Sequence, residues 1–116
     1  MFNIVCVDTY GDLITKFTQW DSDQSLMIKD SGLDVAPVFH FCNRFSTEAL
    51  VVASQINGDT ITVKVPNILL QEATPIIVYV YANSSDTSGK TIATIRIPVR
   101  GRVKPSEYNY VENIDK

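Results

Sequence analysis

Few residues of this chain are of the types from which catalytic sites are built. The 116 residues include one histidine and two cysteines. His40 stands between two phenylalanines, and no nucleophile or carboxylate lies at a local spacing that would make it a catalytic partner. Ser46 and Thr47 do not complete a nucleophilic arrangement, and the sequence has no phosphate-binding loop, CxxC pair or dinucleotide fingerprint. We therefore predict that His40 packs as a structural residue and that the protein is not an enzyme, with no catalytic residue and no cofactor.

Two carboxylates that follow the single tryptophan come nearest to a metal site. Asp21 and Asp23 form a DxD pair, and paired carboxylates can hold Ca²⁺ or Mg²⁺ or serve as acid and base. Residues 25–27 do not supply the further ligands and the glycine that a calcium-binding loop requires. We predict a solvated loop in which Asp21 caps a turn, and no metal. Trp20 and Asp21 are also the centre of an alternative prediction, a carbohydrate-binding site.

Composition argues against several classes of partner. Hydrophobic residues make up 45% of the chain and charged residues 20%, which is ordinary for a globular protein, and 116 residues give room for one domain. The net charge of −3 suits a nucleic-acid binder poorly, because such binders owe their affinity to clustered Lys and Arg. No apolar run approaches the ~20 residues that cross a bilayer. We predict one globular domain that binds neither nucleic acid nor a membrane.

The N-terminal sequence and the cysteines indicate the compartment. Residues 1–8 lack the basic start and the long apolar core of a signal peptide, so we expect synthesis in the cytoplasm. In a reducing cytoplasm Cys6 and Cys42 are expected to be buried free thiols. A disulfide between them stays open as an alternative, because it requires only that their strands be neighbours.

The elements that must position these residues are strands. In residues 60–65 and 93–99 apolar and polar side chains alternate, which is typical of a strand with one buried face. Asn57-Gly58 lies between two apolar runs and predicts a tight hairpin, since both central residues of such a turn take positive φ. Turn signals at short intervals divide the chain into eight predicted strands, near residues 2–8, 13–20, 25–29, 37–42, 50–56, 59–65, 76–81 and 93–99.

These strands predict an all-β fold, an antiparallel β-sandwich of about eight strands within residues 1–100. One short helical turn is predicted near residues 67–73, where a proline precedes good helix formers. Leu69 or Leu70 is expected to plug the open end of the core. From residue 101 to 116 the period is lost, and we predict an extended tail or linker.

Two features indicate contacts with other chains. Residues 76–81 are apolar on both faces, which is typical of a central strand or of a strand whose outer face, here with Tyr79 and Tyr81, is covered by a partner. Residues 1–34 are rich in acids, whereas residues 90–104 carry only basic charges. The basic end either packs beside an acidic strand of the same domain or meets an acidic neighbouring subunit. The candidate partner-binding residues are Tyr79, Tyr81, Arg100, Arg102, Lys104, Tyr108 and Tyr110.

Several short sequence motifs occur in a specific order between Trp20 and Tyr110. They are Trp20-Asp21, QSLMI at 24–28, PVFHFCN at 37–43, VPNILL at 65–70, IIVYVY at 76–81, IRIPV at 95–99 and KPSEYNY at 104–110. In this order they resemble small N-terminal modules of head-fibre and upper-baseplate (receptor-binding scaffold) proteins in phages of Gram-positive hosts. The resemblance implies a β-sandwich that anchors a fibre or adhesin to the virion. It also implies that the KPxxY segment leads from the sandwich toward a distal region, and it carries no catalytic residues.

From the resemblance we expect a non-enzymatic structural protein of the virion, made in the host cytoplasm. Its expected partners are capsid, fibre or baseplate subunits and further copies of itself in a homo-oligomer. The alternative is a carbohydrate-binding module that recognises host-surface glycans through Trp20 and Asp21.

Overall fold

The chain is built almost entirely from strands. The computed structural model describes residues 3–33, 35–81 and 91–113. A 3-10 helix spans Asn67–Gln71, and no helix among the described residues is long and apolar enough to cross a membrane. The eleven strands are β1 Asn3–Val7, β2 Leu13–Ile14, β3 Phe17–Thr18, β4 Ser25–Lys29, β5 Val38–Cys42, β6 Leu50–Ala53, β7 Gln55–Asn57, β8 Thr60–Lys64, β9 Ile76–Tyr81, β10 Thr91–Ile97 and β11 Val99–Arg100.

Nine strands form two antiparallel sheets that enclose the core. The five-stranded sheet has the order β2-β1-β4-β8-β7, and the four-stranded sheet has the order β10-β9-β5-β6. The remaining strands, β3 and β11, form a short parallel pair in which Phe17 is opposite Val99. The predicted all-β antiparallel sandwich is confirmed, with this parallel pair added to it.

The core follows from the alternation of residues along each strand. Leu26 and Ile28 of the five-stranded sheet and Phe39 and Phe41 of the four-stranded sheet are all 0% exposed and belong to one cluster. Burying one such side chain contributes roughly 1.5–3 kcal/mol. The buried positions therefore decide which side of each strand faces inward, and the residues between them are left on the outer faces.

The predicted helical turn near residues 67–73 is the 3-10 helix. Pro66 precedes it with φ −58°, in the range that the proline ring imposes. Leu69 and Leu70 are both buried in the core cluster, as predicted for the residues that plug its open end. Asn67, at the start of the turn, is also buried.

Three predicted strands are each divided in the structure, which accounts for eleven strands instead of eight. Residues 13–20 form β2 and β3, residues 50–56 form β6 and β7 on either side of Ser54, and residues 93–99 form β10 and β11 on either side of Pro98. Proline has no N–H for the hydrogen-bond ladder, so a break there has a clear cause. At each break the chain leaves one sheet and enters another.

The predicted hairpin is confirmed. β7 pairs with β8 as far as Asn57 opposite Thr60, so the central residues of the turn are Gly58 and Asp59 and not the predicted Asn57 and Gly58. The expectation of two positive φ values was wrong, because of these residues only Gly58 has one, at +64°. That value lies in the left-handed region, which glycine adopts without steric cost. The polar linker at residues 83–89, which the sequence places before the last long strand, lies outside the described residues.

Candidate functional site

The outer surface of the four-stranded sheet is apolar and aromatic, and we call it the aromatic face. The strand register sets its side chains in rows, and the central row contains Thr94, Tyr79, His40 and Val51. Each alternates with buried residues of the same strand, so it points away from the core. The ten members are Val38, His40, Cys42, Val51, Ala53, Ile77, Tyr79, Tyr81, Thr94 and Arg96.

The side chains of the aromatic face keep access to solvent within the described structure. All ten are half-buried or exposed, and Val51 is 57% exposed. The His40 imidazole stacks on the Tyr81 ring, with centroids 4.9 Å apart and an angle of 17° between the planes. This contact gives His40 a packing role on the surface. Tyr79 and Tyr81 lie on the outer face of β9, which is a central strand of its sheet, and a partner on this face stays a prediction.

The five-stranded sheet presents a different outer surface. Along β4, β7 and β8 its outward residues are mostly hydroxyls, amides and amines, with Met27 as the one large apolar side chain among them. These residues are Ser25, Met27, Lys29, Gln55, Asn57, Thr60, Thr62 and Lys64. An antiparallel sheet commonly has one face on the core and one face of this kind in water. The strands β1 and β2 of the same sheet place Val5, Val7 and Leu13 on this outer side, and Leu13 is 58% exposed. The polar part of this surface is therefore confined to β4, β7 and β8, and the aromatic face differs from the whole surface by its tyrosines and histidine.

The second candidate region is formed by residues 101–113, which we call the C-terminal arm. The arm has no strand or helix, yet it is hydrogen-bonded to the sandwich. The side chain of Asn113 accepts a bond from the Asn67 backbone N–H at 2.9 Å and donates one to the Val65 carbonyl at 2.9 Å. Asn67 in turn donates from Nδ2 to the Val111 carbonyl at 2.7 Å. The last described residues are thus held against the sandwich of their own chain.

Asn67 makes all of its side-chain hydrogen bonds inside the protein. It is 3% exposed, and its Oδ1 also accepts a bond from the Asp23 backbone N–H at 2.9 Å. Buried amides of this kind are costly to leave unpaired. Asn67 therefore links three segments, namely the loop before β4, the 3-10 helix and the arm.

Trp20 is the centre of a cluster where the arm begins. Its indole Nε1 donates to the Arg102 carbonyl at 3.2 Å. The Tyr108 ring meets it edge-on with centroids 5.1 Å apart, and Lys104 Nζ lies 5.4 Å from the centre of the indole ring. Both geometries are favourable for an aromatic ring, through its quadrupole and through cation–π attraction. The cluster joins predicted glycan-site and partner-site residues within one chain.

The backbone of Trp20 is itself unusual. Its φ is +73°, in the left-handed region that bulky residues rarely adopt, and its N–H donates to the Leu70 carbonyl at 2.7 Å. Such backbone conformations cost of order 1–3 kcal/mol and persist where surrounding contacts hold them. Here the contacts to Tyr108, Lys104 and the 3-10 helix hold the residue in place.

Asp21 and Arg102 form an ion pair across the same region. Arg102 Nη1 lies 3.7 Å from Asp21 Oδ1, and both side chains are substantially exposed. Burial raises the pKa of the Asp21 carboxyl above its ordinary value, Arg102 and Arg100 oppose that rise, and Asp8 adds to it. One ion pair thus joins the basic end of the chain to an early acidic segment of the same domain, through a loop residue and not through an acidic strand. Contact with an acidic neighbouring subunit stays a prediction.

Two further predicted partner residues occupy different places. Arg100 ends β11 with an exposed side chain, and its carbonyl accepts a bond from the Gln19 N–H at 2.7 Å. The Tyr110 hydroxyl donates to the Glu112 carboxylate. Burial and this carboxylate raise the pKa of Tyr110 to about 12, since a phenolate beside a carboxylate is unfavourable.

The cysteines and the acidic residues show no reactive arrangement in the described ranges. Cys6 and Cys42 are free thiols on different sheets, Cys6 buried and Cys42 half-buried on the aromatic face. The predicted free thiols are confirmed, but Cys42 is less buried than expected because it points outward from β5. Within residues 3–33, 35–81 and 91–113, no group of three His, Cys, Asp or Glu side chains could hold a metal ion.

The domain division and the glycan site are among the sequence predictions that stay predictions. The division into a sandwich of residues 1–100 and a tail of residues 101–116 is one of them, although the described part of the arm contacts the sandwich closely. Glycan binding by Trp20 and Asp21 is the other, and both of its residues are engaged by the arm.

Sequence reasoning did not identify Asn67 or Asn113, which hold the arm. Asn67 follows a proline, and Asn113 lies in an aperiodic polar stretch. Nothing in the sequence indicates that these two residues, 46 positions apart, form a hydrogen bond. The approach of the arm to the 3-10 helix creates this pairing, and that approach is a tertiary event.

The fold and these surfaces together define a small β-sandwich with an apolar outer face and a docked arm. Comparison with known proteins finds no match to this chain, either among family models, among curated proteins or among solved structures.

Proposed function

We propose that this protein is a non-enzymatic structural subunit of a phage virion. It is an anchoring β-sandwich of a head fibre or baseplate, made in the host cytoplasm, that binds neighbouring virion subunits. The observation that carries the proposal is the aromatic face, an outer sheet surface on which two tyrosines and a histidine lie among aliphatic side chains. The short sequence motifs between Trp20 and Tyr110 resemble, in their order, those of virion anchoring modules. This resemblance supports the assignment to a phage particle.

Binding through the aromatic face has a physical basis in its composition. Tyrosine and arginine are enriched in protein interfaces, and Tyr79, Tyr81 and Arg96 all belong to the face. Tyrosine supplies a large apolar surface with a hydroxyl that finds a partner when covered. A repeated particle needs only modest contacts of this kind, because many copies bind at once and their contributions combine.

The arm contributes to the same proposal through its position. It lies on the sandwich at the Trp20 cluster and at Asn67, on contacts separate from the aromatic face. A subunit built in this way has a rigid base and a separate apolar surface for its neighbours. The internal contacts of the arm hold that base together.

The test places one charge on the aromatic face and measures how much of the variant chain is incorporated into phage particles. In Tyr79→Lys the ammonium occupies the central row, where burial by a neighbour would require its desolvation. The matched control is Met27→Lys, which places the same group on a half-buried apolar position of the opposite outer face. Circular dichroism and thermal unfolding of both purified variants establish that they fold.

We expect phage particles purified from cells that supply Tyr79→Lys to contain several-fold fewer copies of the chain than particles with Met27→Lys, measured by quantitative mass spectrometry. Equal incorporation of a folded Tyr79→Lys chain would refute binding through the aromatic face. Saturable binding to a glycan array that is lost in Trp20→Ala would instead support the carbohydrate-binding alternative.

A further inference from the structure

We propose that the free edge of β10 binds an extended segment of another virion subunit, which joins the four-stranded sheet as a fifth strand with alternating apolar and acidic side chains. The inference rests on the proposed function for the kind of protein that supplies the segment, and it adds a second contact and the chemistry of the bound strand. Three observations support it, namely the direction of backbone groups on β10, the apolar side chains beside this edge, and its basic charge.

The hydrogen-bond pattern leaves backbone groups of β10 without a partner strand. β9 pairs with β10 on one side, and no other strand of the described residues pairs along β10. In an antiparallel sheet the N–H and C=O of one residue point to one neighbouring strand, and those of the next residue point to the other side. The Pro98 carbonyl, two residues after Arg96, accepts a bond from the Phe17 N–H of β3 at 3.2 Å. The backbone groups of Thr94 and Arg96 therefore point to this free side, and those of Ile95 point to β9.

The bonding on the far side of the sheet gives the same assignment. The Pro37 carbonyl, just before β5, accepts a bond from the Ser54 side chain just after β6, so the odd-numbered residues of β5 point to β6. The even-numbered residues of β5 consequently point to β9, where His40 is opposite Tyr79. The residues of β9 that lie between those bonded to β5 point to β10, and their partners on β10 are odd-numbered. The even-numbered residues of β10 are thus the ones that face outward from the sheet edge.

The free edge of β10 borders an opening along one side of the sandwich. β3 follows β2 and pairs with β11, which follows β10, so the β3–β11 pair closes this side at one end. Beyond that pair β2 bonds to β1, and β10 stays with β9. Four apolar side chains on the bordering strands pack against the core but are only half-buried, namely Ile4, Ile14, Ala93 and Ile95. Inward apolar side chains of an added strand cover this surface and remove it from water.

The charge at this edge favours acidic residues on the outer side of the added strand. Arg96 points outward from β10, and Lys16 precedes Phe17 on the neighbouring strand β3; both side chains are exposed. Neither forms an ion pair with another described residue, and residues 91–100 contain no acid. Cross-strand pairs of opposite charge stabilise a sheet, whereas like charges opposite each other destabilise it. A strand that carries Asp or Glu therefore complements this edge.

A second copy of β10 fits the edge poorly. If two copies paired through Thr94 and Arg96, two strands without any acid would meet, with both Arg96 side chains on the same outer face. Charged side chains on edge strands oppose self-pairing of this kind. Addition of a strand from another protein uses the same backbone groups, and the alternating side chains of that strand give the specificity. The edge therefore suits an acidic segment of a different chain.

Amide hydrogen exchange, measured by NMR on the purified chain, tests whether the edge is free. We expect the Thr94 and Arg96 amides to exchange at least about tenfold faster than those of Ile95 and Ile97, which are bonded to β9. Slow exchange at Thr94 and Arg96 in the isolated chain would show that the edge is already covered, and it would overturn the site.

The probe for the partner is a soluble synthetic peptide of alternating glutamate and valine, equal in length to the seven residues of β10. We expect it to bind saturably and to slow exchange at Thr94 and Arg96 by at least about tenfold. The same peptide with lysine in place of glutamate should bind about tenfold more weakly, and Arg96→Glu should abolish this preference. Failure of the glutamate peptide to bind, or equal binding of the two peptides to the unaltered chain, would overturn the proposed chemistry.

Proline at position 94 tests the backbone contact. It removes only an N–H that points to the free edge, and edge strands tolerate proline at such positions. Thr94→Pro, with folding checked by circular dichroism, should lose about tenfold in affinity for the peptide. Thr94→Val keeps the N–H and should bind as the unaltered chain does. Val51→Pro makes the matching change on β6, the other edge strand of this sheet, and should leave binding unchanged. Loss of binding in Val51→Pro alone would overturn the assignment to β10, and the exchange and peptide measurements decide the case if Thr94→Pro does not fold.

Particle incorporation separates this inference from the proposed function. Thr94→Pro should be incorporated several-fold less than Thr94→Val, and equal incorporation would overturn a virion subunit as the source of the segment. Failure of the peptide to bind would overturn the edge site and leave the Tyr79→Lys test of the proposed function intact. Normal incorporation of folded Tyr79→Lys would overturn binding through the aromatic face, whatever the peptide does. A dimer of the purified chain that Thr94→Pro dissociates would assign the edge to a second copy and overturn the acidic segment.

Discussion

Replacing Asn67 with alanine should destabilise the whole domain, because this side chain joins the arm to the sandwich. The substitution removes the bond from Asp23 N–H to Oδ1 and the bond from Nδ2 to the Val111 carbonyl, at 2.9 and 2.7 Å. Each hydrogen bond contributes about 1 kcal/mol net, and a buried group left unpaired costs more. Val111 is 69% exposed, so water can reach its carbonyl and that part of the loss stays small.

The free energy of unfolding of Asn67→Ala should therefore be lower by about 2 kcal/mol. This is a large share of the 5–15 kcal/mol typical of a single domain. With a urea dependence of about 1–3 kcal/mol per molar, the midpoint should move down by roughly 1 M. The chain contains one tryptophan, so the intrinsic fluorescence of Trp20 reports unfolding at the end of the sandwich where the arm docks.

The matched control is Asn109→Ala, which makes the same change at an exposed position of the same arm. Asn109 has no side-chain hydrogen bond to a described residue, and surface substitutions of this kind usually stay within about 0.5 kcal/mol. Asn113→Ala tests the other half of the contact. If both asparagines act by holding the arm, the double variant Asn67→Ala with Asn113→Ala should cost less than the sum of the two single variants. An Asn67→Ala protein as stable as Asn109→Ala would refute the role of this contact.

Three shorter predictions concern the arm, a carboxylate and the thiols. Deletion of residues 101–116 should leave a chain with a β-type circular dichroism spectrum but lower its thermal stability and its incorporation into particles, and unchanged incorporation would show that the arm is dispensable. Asp21→Asn should stabilise the protein at pH 7 by less than about 1 kcal/mol. Burial raises the pKa of the Asp21 carboxyl in the folded state, so folding disfavours the charged carboxylate. The 39% exposure of this side chain and its pairing with Arg102 keep the effect small. That gain should disappear below about pH 3, where the carboxyl is protonated in both states, and a gain that persists there would contradict the cause. Iodoacetamide should modify Cys42 at least about tenfold faster than Cys6, whose pKa is raised by burial, and equal labelling in a peptide map would contradict the burial difference.

The sheets could be predicted from the sequence because their cause is local. Alternation along residues 60–65 and 93–99 fixes which side chains face the core, and Gly58 marks the turn between β7 and β8. The breaks inside the predicted strands were harder to predict. Pro98 marks one of them through its missing N–H, but Ser54 ends β6 without any such local signal and interrupts a run that reads as one strand.

The candidate site was only partly predictable, because only some of its features have a local cause in the sequence. The run from 76 to 81 is apolar at every position, which indicates a central strand or a strand with a partner-covered face, and Tyr79 and Tyr81 do lie on the outer side of the central strand β9. The docking of the arm was not predicted, because it depends on side chains of Asn67 and Asn113 that meet only after both sheets have formed. Aperiodic polar sequence indicates a lack of regular structure, and it does not indicate a lack of tertiary contacts.

The parallel pair of β3 and β11 has a consequence for how the molecule is made. Phe17 is fully buried, yet its strand partner Val99 comes 82 positions later in the chain. Pairing over so long a separation carries a high entropic cost and slows folding. During translation the aromatic ring of Phe17 stays without this cover until residue 100 has left the ribosome. The domain can therefore complete its folding only after residue 100 has emerged, and a nascent chain halted earlier would expose apolar surface to chaperones and proteases.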